Sequence, residues 1–69
     1  MADIELLREF IARCGMSYTN VAKELNLTYV GFNNKMQGRR VFTLKEALKL
    51  KKILNLTQSE WNAVFDEVE

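Results

Sequence analysis

Asn33 and Asn34, with Tyr29 and Val30 just before them, are the side chains best suited to a specific chemical task in this sequence. A planar amide that both donates and accepts matches adenine N6 and N7 in the DNA major groove, and a valine can meet a thymine methyl. Positions 29, 30, 33 and 34 fall on one side of a helix, so a single element could present all four. Lys35, Arg39 and Arg40 lie beside or just after them. Contact with phosphate requires positive charge but no unique orientation, and these three suit it.

The surrounding pattern supplies the element. Val21, Ala22 and Leu25 repeat at helical spacing, and Phe32 and Met36 resume it after a break at Asn26-Leu27-Thr28. Asn26 tolerates a left-handed backbone and Thr28 is a helix N-cap, so residues 18–36 read as two short helices joined by a sharp turn. Phe32 and Met36 face the core, which leaves the outer face of the second helix for the major groove.

The rest of the chain is also helical. Ile4, Leu7, Ile11 and Cys14 predict a helix from about Ala2 or Asp3 to Cys14, stopped by Gly15. Ser17 caps a second helix that runs to about Leu25, and a third runs from Tyr29 to Met36 or Gln37 before Gly38. Thr43 with Glu46, and Thr57 with Glu60, are capping-box pairs opening a fourth and a fifth helix. The expected core includes Phe10, Val21, Ala22, Leu25, Phe32, Leu44, Leu48 and Trp61. With 69 residues, no proline, no linker and no repeat, the expectation is one all-α domain of five helices spanning 1–69.

Charge is unevenly placed. Residues 28–52 hold seven lysines and arginines against Glu46 alone, whereas Glu60, Asp66, Glu67 and Glu69 stand unopposed after residue 53. The basic centre coincides with the reading helix and the segment C-terminal to it. Catalytic chemistry has little support, since there is no histidine and Ser17 and Ser59 have no evident base. The lone Cys14 cannot form an internal disulfide and reads as a small buried or partly buried apolar residue; no metal or cofactor is expected. No apolar run approaches bilayer length, and the acidic, amphipathic start MADIELLREF is unlike a signal peptide, so a cytoplasmic protein is expected.

The stretch SYTNVAKELNLTYVGFNNKMQGRRVFTLKEALKL resembles the lambda-repressor-like, or Cro/C1-type, helix-turn-helix family, especially its small phage and bacterial members. The resemblance covers about residues 4–56 and rests on Val21-Ala22, Leu25, Leu27-Thr28, Phe32, Gly38 and the segment FTLKEAL together. It implies a five-helix DNA-binding domain acting in transcription, commonly as a repressor and as a dimer on a palindromic operator. It places Thr28 at the start of the recognition helix, where relatives often contact phosphate, and Tyr29, Val30, Asn33 and Asn34 toward base edges or the adjacent backbone. Tyr18 stands where many relatives carry a glutamine that reaches a phosphate, and can keep only a hydroxyl contact. Gly31 is unusual inside such a helix.

A homodimer is expected through the segment Leu56 to Val68, with Trp61, Val64 and Phe65 at the subunit boundary, because one short helix reads only a few base pairs. The alternative to DNA reading is a protein-interaction module of the same fold, antirepressor-like or an assembly partner. An apolar patch over Tyr29 and Val30 favours that alternative, and a continuous positive face favours DNA.

Overall fold

The structure, a computed structural model, describes residues 2–65. The described residues form five helices: α1 (Ile4–Arg13), α2 (Tyr18–Glu24), α3 (Tyr29–Met36), α4 (Leu44–Ile53) and α5 (Gln58–Phe65). There is no strand among the described residues, so the all-α expectation holds.

One local grammar sets all five starts. Asp3, Ser17, Thr28, Thr43 and Thr57 each accept a hydrogen bond from the backbone N–H three residues on, at 3.0–3.1 Å. Each of these oxygens takes up an amide that the helix itself leaves unpaired. The capping boxes close at both sites, where Glu46 and Glu60 accept from the Thr43 and Thr57 amides at 2.9 Å. An apolar residue precedes every cap, in the order Ala2, Met16, Leu27, Phe42 and Leu56.

The ends of α1 to α4 are equally uniform. Gly15, Asn26, Gly38 and Asn55 take positive φ. Each ends a Schellman turn, the tightest being Leu27 N–H to Ala22 O at 2.8 Å and Leu56 N–H to Lys51 O at 2.9 Å. Asn26 therefore makes the expected left-handed turn between α2 and α3.

The core draws on every helix: Leu7 and Ile11, then Val21, Ala22 and Leu25, then Phe32 and Met36, then Ala47, Leu50 and Leu54, then Val64 and Phe65, with Phe42 and Leu56 from the connectors. Helices α1 and α5 are tied at both ends, by Asp3 N–H to Val64 O at 2.9 Å and by an Arg13–Glu60 ion pair at 2.7 Å. Among the described residues no helix is long and apolar enough to cross a membrane.

Two expectations about the core need correction. Leu44 and Leu48 are 42% and 48% exposed, because α4 turns Ala47, Leu50 and Leu54 inward. Phe10 and Trp61 do pack against the core as expected, each partly buried. Cys14 is exposed; it sits at the C-terminal cap of α1, and its thiol donates to Leu54 O.

Candidate nucleic-acid interface

Helix α3 is held from beneath by a run of aromatic rings. Tyr18 meets Phe32 edge-on with centroids 5.4 Å apart; Phe32 meets Phe42 at 6.1 Å, and Phe42 meets Phe65 at 5.9 Å. Edge-to-face pairs of this kind fix orientation as well as burying area. Phe32, wholly buried, thus anchors α3 between α2 and the connector to α4.

The outer face of α3 carries the side chains the sequence singled out. Tyr29 is 50% and Val30 67% exposed, and Asn33 and Asn34 are half-buried beside them. Thr28 lies at the start of this face, its hydroxyl oxygen accepting from Gly31 N–H at 3.0 Å. That bond leaves the hydroxyl proton available to donate elsewhere. The first turn of α3 has no acidic side chain.

Arg39 and Arg40 follow α3 in an exposed bend and make no side-chain hydrogen bond or ion pair among the described residues. Both guanidinium groups are therefore available for an anion such as phosphate.

Lys35 behaves differently from the expected phosphate contact. Its ammonium donates to Val41 O at 3.0 Å and to Glu46 Oε1 at 2.8 Å, and its side chain is only 13% exposed. The cause is angular: Lys35 lies about 140° around the helix from Val30, on the side facing α4. Burial pushes the Glu46 carboxyl up, but hydrogen bonds from Lys35 and the Thr43 amide outweigh it and hold the pKa below the ordinary value. Lys35 is thus a positioning residue that fixes the connector bearing Arg39 and Arg40.

Tyr18 is half-buried, and its hydroxyl accepts from Arg8 Nε at 3.2 Å. Arg8 was not among the residues expected at this surface. It is exposed and reaches the start of α2 from α1, ten residues earlier, a proximity with no local signature in the sequence.

The expected dimer boundary is also changed. Val64 and Phe65 are 0% and 1% exposed, consumed by the chain's own core, so neither can meet a partner without unfolding α5. Trp61 is half-buried, with its indole N–H donating to Ala47 O at 2.8 Å. The solvent side of α5 consists of Gln58, Ser59, Asn62 and Ala63. Val68 and the acidic residues Asp66, Glu67 and Glu69 lie outside the described residues.

Among the described residues no group of histidine, cysteine or carboxylate side chains could hold a metal ion, and no buried side-chain polar atom lacks a partner. What the surface offers is a helix face with amide, phenol and valine groups, flanked by two available arginines. No family model, curated protein or solved structure matches the chain.

Proposed function

We propose that the chain is a lambda-repressor-like helix-turn-helix domain that reads duplex DNA with α3, acting in phage or bacterial transcription. The observation that carries this reading is the outward face of α3, Thr28 to Asn34, adjoining the exposed Arg39 and Arg40. Asn33 and Asn34 supply amides for adenine edges, and Val30 supplies a surface for a thymine methyl. Arg39, Arg40 and the Thr28 hydroxyl serve the phosphate backbone, with the Tyr18 hydroxyl and Arg8 as further donors on the α2 side. Lys35 supports this surface from behind.

Helix α3 has only eight residues and reaches few base pairs, so two copies on a palindromic site are proposed for operator recognition. Their contact must lie outside Val64 and Phe65. A protein partner on the same face is the second reading, favoured by the exposure of Tyr29 and Val30.

Selection from a random duplex library distinguishes the two. Enrichment of a defined, two-fold symmetric sequence supports DNA reading. A library that stays random after several rounds, with no duplex bound above background, would assign the face to a protein.

A further inference from the structure

Helix α4 shows a second face that the core does not use. Leu44 and Leu48, one turn apart, are 42% and 48% exposed, and Val41 just before the helix is 81% exposed. Leu48 lines a shallow groove with Lys45, Lys49 and Lys52. None of these three lysine side chains makes a hydrogen bond or ion pair among the described residues. The carboxylate of α4, Glu46, points away from them into the Lys35 bridge. The face is therefore a leucine stripe with positive charge along one side and, among the described residues, no carboxylate that neutralises it.

We propose that this face docks an acidic, amphipathic segment of another protein, whose apolar side chains seat on Leu44 and Leu48 and whose carboxylates meet Lys45, Lys49 and Lys52. The charge identifies the occupant. A second copy packed with its α4 antiparallel about a two-fold axis would bring these lysines against their own equivalents, and in any register α4 offers them no free carboxylate, since Glu46 is held by Lys35. Phosphates of a duplex would gain nothing from two exposed leucines. A membrane surface asks for more apolar area than two half-exposed leucines offer. An acidic segment with leucines at helical spacing satisfies both parts of the face, in the manner of a helix laid on a groove. The patch is small, so the contact is a transient one. It stands independently of DNA reading, which uses α3.

The test uses the labelled 69-residue chain and two synthetic helical peptides with leucines at identical positions, flanked by glutamates in one and glutamines in the other. The glutamate peptide is expected to shift backbone amide resonances of residues 41–52, and the glutamine peptide to bind at least tenfold more weakly. Leu48→Ser, and separately Lys45→Glu with Lys49→Glu, should each weaken the glutamate peptide at least tenfold. Arg39→Gln should leave it unchanged, which separates this face from general attraction to positive charge. All these side chains reach solvent, and a melting temperature close to that of the parent chain confirms that each variant folds.

Equal affinity for the two peptides, or shifts centred outside residues 41–52, would overturn the proposal. So would concentration-dependent shifts of these amides without peptide, which assign the face to a second copy, or stronger shifts with phosphatidylserine vesicles, which assign it to a membrane. Duplex affinity measured on Leu48→Ser should equal that of the parent chain, so failure of docking and failure of DNA reading are read separately.

Discussion

Lys35 Nζ lies 2.8 Å from Glu46 Oε1, and the same carboxylate oxygen closes the cap of α4 by accepting from the Thr43 amide at 2.9 Å. One carboxylate thereby joins the last turn of α3 to the first turn of α4, with Arg39 and Arg40 in the span it closes. Both side chains are largely buried, at 13% and 16% exposure, so loss of one partner strands the other. Lys35→Ala should destabilise the chain by about 1–3 kcal/mol, more than a surface pair would. Urea unfolding measures this. A change under about 0.5 kcal/mol would return Lys35 to the class of solvated surface lysines.

Gly31 occupies the third position of α3, where α4 and α5 carry Glu46 and Glu60 under the same threonine cap. A Cβ at Gly31 would approach Thr28 Oγ1 to 3.1 Å, a tight contact. The two matching caps accommodate a Cβ at that position with a 3.1 Å bond from the amide to the threonine oxygen, so Thr28 can give the small distance required. Gly31→Ala should stabilise the chain by about 1 kcal/mol, seen as a higher urea midpoint at unchanged slope. A lower midpoint would mean that the cap of α3 cannot shift.

Acid should weaken the fold through two carboxylates. The Glu60 carboxyl is held down to about 2, chiefly by its hydrogen bond from Arg13 and then by the Thr57 amide, and Glu46 is also below its ordinary value. A carboxylate with a depressed folded pKa takes up its proton first in the unfolded chain. Its contribution is present above an ordinary pKa of about 4.5 and is lost as pH falls toward 2. Melting temperature should therefore fall across that window, and Glu60→Gln should flatten the fall. An equal slope for both proteins would show that the Arg13–Glu60 pair does not contribute in solution.

Phe65 closes the aromatic run from Tyr18 and is 1% exposed. Phe65→Ala should cost about 3–5 kcal/mol, enough to unfold much of a small domain, while Phe65→Leu retains a fold. The unfolding midpoint of Phe65→Leu should not depend on protein concentration. A concentration-dependent midpoint, shifted by the substitution, would instead make Phe65 part of a subunit boundary.

The helices were legible because their signals are local. Each cap at Asp3, Ser17, Thr28, Thr43 and Thr57 needs only the amide three residues on, and each left-handed stop needs one glycine or asparagine. The orientation of α4 was not legible, since Leu44, Ala47, Leu48, Leu50 and Leu54 form a stripe too wide to be buried whole. Only the positions of the neighbouring helices decide that Ala47 and Leu50 turn inward. The roles of Lys35 and Arg8 depend on partners eleven and ten residues away across a turn, which no periodicity reveals. Phe42 did leave a signal, as the apolar residue before the Thr43 cap, the place that Leu27 and Leu56 take before α3 and α5.

In the proposed function α3 reads base edges while Arg39 and Arg40 hold the backbone. Its most direct test is the affinity of the parent chain, Asn33→Ala, Asn34→Ala and Arg39→Gln for one selected duplex and one unrelated duplex across a range of salt. At least one asparagine variant should lose about 1–3 kcal/mol on the selected duplex alone. Arg39→Gln should weaken both duplexes alike and reduce the salt slope by about one. If all four proteins bind both duplexes equally at every salt concentration, α3 does not read DNA.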